Sequence, residues 1–293
     1  MSALRVGVVF PQTEVGGDPG VVRAWAQTAE AAGFDHLVAY DHVLGAVHEG
    51  RERPLRGPYD ETTTFHEPLV LFGFLAGITE RIELVTGILI LPQRQVALVA
   101  KQSAEVDLLS RERLRLGVGS GWNHVEYESL NEDWQTRGKR YDEQVELLRA
   151  LWGEPVVDYT GRFHRVDRAG LAPLPRRQIP LWFGGHKEPA FLRAARHGDG
   201  FIVAHSAGAT PELAGRLREL VAEAGRDPAA FGIDAYISVA DPAWPELVEA
   251  WRAAGATHVS LVTMGAGYQS PTAHVESLGA LAETVRAAGW QSA

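Results

Sequence analysis

The chain has 293 residues, 45% of them hydrophobic, and a formal net charge of −9. That is ample material for a core, and the acidic balance argues against nucleic acid or an anionic membrane as partner. Cysteine is absent, which removes disulfides, thiolate nucleophiles, iron–sulfur ligation and cysteine-based zinc sites.

In chain order, a strand is predicted over residues 5–10, then a helix over 21–32 that stops at Gly33, where glycine relieves a left-handed turn. A strand over 36–40 follows, then a helix over 68–78, a strand over 82–90, a helix over 95–109 and a strand over 114–118. The second half continues with a helix over 137–152, a strand over 181–183, a helix over 189–197 and a strand over 200–204. Next come a helix over 211–224, a strand over 233–239, a helix over 245–254, a strand over 258–263 and a helix over 274–288. Strands alternating with helices imply a parallel sheet with right-handed crossovers, and this many units close a barrel. The expected fold class is α/β, one (β/α)8 TIM-type domain spanning 1–293. The apolar runs 6–10 and 84–91 are too short or too interrupted for a signal-peptide core or a bilayer span, so a cytoplasmic protein without a membrane partner is expected.

Two stretches exceed ordinary connections. Residues 41–67 follow the second strand and hold His42, His48, Arg51, Arg53, Arg56, Tyr59 and His66, which places a lid or substrate wall at the C-terminal rim where barrel enzymes keep their active sites. From this rim Phe10, Arg53, Tyr59 and His66 are the candidate substrate contacts. Residues 153–180 precede the fifth strand and contain a small hairpin, 156–159 with 163–166 around Thr160-Gly161-Arg162, with no assigned chemistry.

The strand ends carry the candidate chemistry. Leu114 to Trp122 reads as an apolar strand closing on Gly117, Gly119 and Gly121, either an anion site of bare backbone N–H groups or a tight strand-to-helix turn. Strand two ends Ala39-Tyr40-Asp41-His42, an acid beside an imidazole that can move protons near neutral pH; the plainer reading is a turn cap and a solvated histidine. Gly87, inside the third strand, reads as a bulge. Leu181-Trp182-Phe183-Gly184-Gly185-His186 is a second glycine junction before a helix, and Gly265-Ala266-Gly267 after the eighth strand competes with it as a phosphate site. No metal is expected, because Phe10-Pro11-Gln12 offers no ligand and the loop histidines lack ligand spacing. Glu126 and Glu128 come from one segment and read as helix-start acids stabilised by the dipole, not as the facing carboxyls of a glycosidase. A dinucleotide fold would need Gly-x-Gly-x-x-Gly after the first strand, and that match fails.

Taken together, these residues resemble the luciferase-like monooxygenase family, and within it the deazaflavin-dependent oxidoreductases that use coenzyme F420. The matching pieces, in family order over roughly residues 5 to 205, are 39–42, 86–92, Ala100-Lys101-Gln102, 113–122, Arg137-Gly138-Lys139-Arg140 with Glu143, 180–185 and 197–201. The resemblance implies hydride chemistry on a tricyclic ring in the barrel mouth. It assigns His42 and Asp41 as catalytic residues, His42 as proton partner and Asp41 orienting it or the ring. It assigns cofactor contacts to Asp41, Gly87 and Ile88 (commonly joined by a non-proline cis peptide), Gly119, Ser120, Gly121, Trp122, Gly184, Gly185 and His186, and so favours the strand-five phosphate site. Sugar-phosphate dehydrogenases of the family carry glutamate where this chain has Trp122, so a flat apolar wall for an uncharged or aromatic substrate is expected instead. The Ser-Gly-Gly-Arg common before strand four is here Ser110-Arg111-Glu112-Arg113, which alters the turn. FMN is the alternative cofactor, with monooxygenase chemistry, and a ligand-binding barrel without catalysis is a second alternative. The family implies a homodimer acting on a small molecule.

Overall fold

The computed structural model describes residues 3–204 and 208–291. Its strands are β1 (Arg5–Val9), β2 (His36–Ala39), β3 (Glu83–Thr86), β4 (Leu89–Ile90), β5 (Leu114–Gly119), β6 (Val157–Thr160), β7 (Arg165–Ala169), β8 (Leu181–Gly184), β9 (Gly200–Val203), β10 (Gly232–Ser238) and β11 (His258–Val262). The helices are α1 (Gln12–Val15), α2 (Pro19–Ala32), α3 (Pro68–Ala76), α4 (Val96–Leu109), α5 (His124–Ser129), α6 (Arg137–Gly153), α7 (Glu188–His197), α8 (Leu213–Glu223), α9 (Trp244–Ala253) and α10 (Pro271–Ala287). Apart from β6 and β7, the strands pair in parallel, β3-β2-β1-β11-β10-β9-β8-β5, and the additional β3–β5 pairing closes the cylinder. This is the expected (β/α)8 barrel. None of its described helices is long and apolar enough to cross a membrane.

Local chemistry sets the element ends. Pro19 occupies the first turn of α2 and the Asp18 side chain accepts from Gly20 N, so the helix begins two residues before the apolar pattern does. Glu67 and Ser270 cap α3 and α10 in the same way. The short helix α1 was not expected, since four residues show no helical period, while α5 begins where Glu126 and Glu128 read as helix-start acids. The third barrel strand is broken: Val85 lies opposite Arg115 and Leu89 opposite Val118, so β3 and β4 carry one residue more than β5 across the same span. That bulge holds a cis Gly87–Ile88 peptide bond. Residues 157–169 form the expected hairpin, β6 antiparallel to β7, outside the barrel sheet.

Two cores result. The larger lies between the strands and the helices, and the smaller fills the barrel with Val9, Val38, Val85, Trp182, Ile202 and Tyr236, with Tyr40, Ile88, Val262 and Met264 against it. Beneath this plug sits a buried polar layer. Ser260 Oγ lies 2.8 Å from His36 Nε2 and donates to Asp234 at 2.9 Å, while Arg115 bridges Asp234 at 3.3 Å and Glu83 at 3.2 Å. Burial works to raise the Asp234 carboxyl, but His36 and Arg115 hold it well below the usual carboxylate range. With that end packed by polar groups, the strand ends that carry the candidate residues lie at the C-terminal face.

Candidate active site

The 41–67 segment leaves β2 over this face and is tied down at both ends by one guanidinium. Arg94 donates to Asp41 at 2.6 Å and to Glu67 at 2.8 Å. Asp41 is buried and also accepts from Ile90 N at 2.8 Å. Burial pushes its carboxyl up, against the pull of Arg94 and of the Ile90 N–H. Both Asp41 oxygens are thus engaged by Arg94 and Ile90, and His42 takes its orientation from elsewhere.

That partner is Glu126, fully buried on α5. Its carboxylate accepts from Val43 N at 2.6 Å and Leu44 N at 3.0 Å and lies 3.2 Å from His42 Nδ1. Both backbone N–H groups bond one carboxylate oxygen, the other faces His42 Nδ1, and Nε2 is left without a hydrogen-bond partner among the described residues. Aromatic rings surround the imidazole: Phe65 at 4.8 Å, Tyr59 at 5.3 Å and Trp122 at 5.4 Å between centroids. Trp122 in turn packs flat on Gly57, where any side chain would collide with the indole. Asn123 Nδ2 donates to Leu44 O at 3.2 Å, so the 41–67 segment is seamed to the loop after β5 along its length.

Ile88 projects from the bulge across the top of the barrel. A Cβ on Gly119 would stand 2.5 Å from Ile88 Cδ1, and one on Gly184 would stand 2.7 Å from Ile88 Cγ2. These two bare positions therefore admit Ile88. Gly121 adopts φ +61° against Ile90, and Gly185 adopts φ +155° against Ala190, so both need glycine for the backbone turn itself. Ser120 is held by its carbonyl, which accepts from Tyr127 Oη at 2.7 Å. His186 is exposed just before α7, whose N-terminal flank, Lys187, supplies no capping acceptor. In the competing loop the Gly265 N–H is already taken by Glu14 at 2.9 Å.

The substrate candidates separate. Tyr59 belongs to the His42 cage, while Arg53 lies over the Trp134 ring at 5.2 Å. His66 Nε2 lies 3.1 Å from Gly16 O, with its ring 5.8 Å from Phe10. Phe10 itself is fully buried against Trp25 and His66. Glu126 does stand in the first turn of α5, as expected of a helix-start acid, but it also makes three contacts 82 to 84 residues away in sequence. No local pattern marks such a partner.

Residues 4–289 match the family model described as luciferase-like monooxygenase. An uncharacterized protein of Mycobacterium tuberculosis is 32% identical over 208 residues, 69% of this chain and 71% of the relative. An FMNH(2)-dependent dimethylsulfone monooxygenase of Pseudomonas fluorescens is 30% identical over 67% of this chain and 51% of its own length. An F420-dependent glucose-6-phosphate dehydrogenase of Segniliparus rotundus is 30% identical over 76% of this chain and 64% of its own length. Among solved structures, an F420-dependent secondary alcohol dehydrogenase in complex with an F420-acetone adduct superposes with a TM-score of 0.76 over the whole of both chains at 18% identity, a likeness of fold. A closed barrel whose mouth carries the His42 cage and the Ile88 bulge, matched by one family model over nearly its full length, belongs to the luciferase-like monooxygenase family.

Proposed function

We propose that the protein is an oxidoreductase that moves a hydride between coenzyme F420 and a small organic substrate. The observation that carries the reading is His42, with Nδ1 facing a buried carboxylate and Nε2 without a hydrogen-bond partner among the described residues, inside an aromatic cage. The donor set fits a flat tricyclic ring: Trp122, Tyr59 and Phe65 as walls, Ile88 at the floor, and Gly184-Gly185 leading into α7 where a phosphate would find backbone N–H groups. When bound, a deazaflavin supplies the two-electron step at its C5.

The chain's own residues do the rest. His42 gives or takes the accompanying proton at Nε2, and Glu126 stabilises the imidazolium form in between. Asp41, locked to Arg94, holds the start of the 41–67 segment against Ile90 and so sets where His42 stands. The rings of the cage keep water from the imidazole. Support for F420 comes from the Segniliparus relative. The second reading, an FMN-dependent monooxygenase, is favoured by the Pseudomonas relative at equal identity. A barrel that only binds its ligand has no use for an oriented proton carrier.

Titrating the purified protein with F420 and with FMN, each followed by fluorescence, tests the reading. Saturable one-to-one binding of F420 in the micromolar range is expected; tight FMN binding with no response to F420 overturns it. The reading includes a cytoplasmic homodimer, supported by the exposed apolar Val70, Phe74 and Leu98 on neighbouring α3 and α4, and sedimentation equilibrium checks the dimer.

A further inference from the structure

Beside the His42 cage lies a second cluster that the hydride reading leaves unused. Trp134, between α5 and α6, is half-buried and carries two guanidinium groups, Arg137 at 3.8 Å and Arg53 at 5.2 Å from its ring centroid. Arg53 comes from the 41–67 segment and Arg137 from the start of α6. Neither pairs with a carboxylate among the described residues; Arg137 donates only to Trp134 O, at 2.8 Å. His124 completes the group, 6% exposed, with its ring edge-on to Trp134 at 6.2 Å and its nitrogens without a hydrogen-bond partner among the described residues.

Two cations and a buried, unpartnered imidazole around one indole concentrate positive potential on a chain whose net charge is −9. The indole covers one side of each guanidinium, and apart from the Arg137 bond to Trp134 O their N–H groups have no hydrogen-bond partner among the described residues. Burial pushes the His124 imidazole down, and Arg53 and Arg51 add to the effect against the opposing pull of the Glu128 carboxylate. An incoming anion would reverse the contribution of the two arginines.

We propose that Arg53, Arg137 and His124 form an oxyanion subsite, framed by Trp134, that takes the carboxylate or phosphate group of a bound small molecule. Arg is the residue that grips such groups by paired N–H bonds, and His124 supplies a third donor once protonated. The ligand is thus a molecule with an apolar part for the cage and an anionic end for the clamp. This refines the uncharged or aromatic substrate expected from Trp122. It rests on the hydride reading only in taking this mouth as the ligand site.

Inorganic phosphate is the probe, titrated into the cofactor-free protein at constant ionic strength and followed by imidazole 15N–1H NMR of His124 and by calorimetry. Saturable millimolar binding, a rise in the His124 pKa, and a loss of at least tenfold in affinity in the Arg53→Gln/Arg137→Gln variant are expected, with Lys139→Gln, an exposed lysine nearby, unchanged within twofold. Absence of saturation, or an equal loss in Lys139→Gln, overturns the proposal and leaves the clamp as surface packing. Arg53→Gln alone, on an exposed loop residue, keeps the test valid if the double variant unfolds: a threefold or greater loss supports the subsite and an unchanged affinity overturns it. Given phosphate binding, F420 and FMN titrations of the double variant distinguish the source of the anion: a tenfold loss assigns it to the cofactor's tail, unchanged binding to the substrate. Because the phosphate titration needs no cofactor, failure of the F420 reading and failure of this subsite register separately.

Discussion

Replacing Gly119 by alanine tests whether the glycines of β5 exist to admit Ile88. The new methyl would stand 2.5 Å from Ile88 Cδ1 and 2.8 Å from Cγ1. Carbon–carbon contacts settle at about 3.5–4.0 Å, so Ile88 has to retreat by about 1 Å. Retreat is obstructed by Gly184, over which the other branch of the same side chain already sits. Overpacking of this kind costs about 1–3 kcal/mol, offset by about 0.4–1 kcal/mol from the stiffer unfolded chain, leaving a loss of about 1–2 kcal/mol. In an Ile88→Ala background the methyl enters the vacated space, and the same substitution should cost nothing or stabilise by a few tenths. Urea unfolding of the four proteins, followed by tryptophan fluorescence, gives the coupling directly. Gly119→Ala as stable as the parent, or an equal cost with and without Ile88, refutes the packing argument. Cofactor titration of the double variant adds a second reading: lost affinity there would assign Gly119 to the ligand and not to Ile88.

Glu126→Ala strips Val43 N, Leu44 N and His42 Nδ1 of their acceptor and should cost about 2–4 kcal/mol; Glu126→Gln should cost less yet still displace the His42 tautomer, visible in 15N NMR. Arg94→Ala leaves the Asp41 charge buried and unpaired, and a loss of about 3–5 kcal/mol is expected in denaturant melts, with partial recovery on adding Asp41→Asn. Because the Asp234 carboxyl is depressed in the folded state, its contribution is complete above about pH 4, the unfolded value, and drains away as pH falls below it; stability of Asp234→Asn should depend less steeply on pH in that acid range. Glu112 holds φ +64°, so Glu112→Gly should raise stability by up to about 1 kcal/mol in the same melts.

Period and punctuation carried the barrel in the sequence. Alternation of β-rich and amphipathic runs is a local signal, and so are Gly33 after α2 and the glycine in the bulged third strand. Arg111 and Glu112 both take positive φ, a conformation glycine adopts freely, at the two positions where the resembled Ser-Gly-Gly-Arg motif has glycines. The resemblance likewise pointed to the cis bond at Gly87–Ile88. What stayed hidden is long-range. Glu126 reads as a dipole acid until the 41–67 segment folds onto it, and the stacking of Arg53 on Trp134 spans the same seam. Phe10 stands at a strand end, where substrate contacts belong, but its face of the strand is the helix side.

Glu126 grips both the main chain at Val43 and Leu44 and the ring of His42. Peeling the roof from the mouth to admit a ligand would therefore also release the imidazole from its base. On the proposed reaction, a ligand entering by that route would find His42 without its carboxylate until the segment settled back.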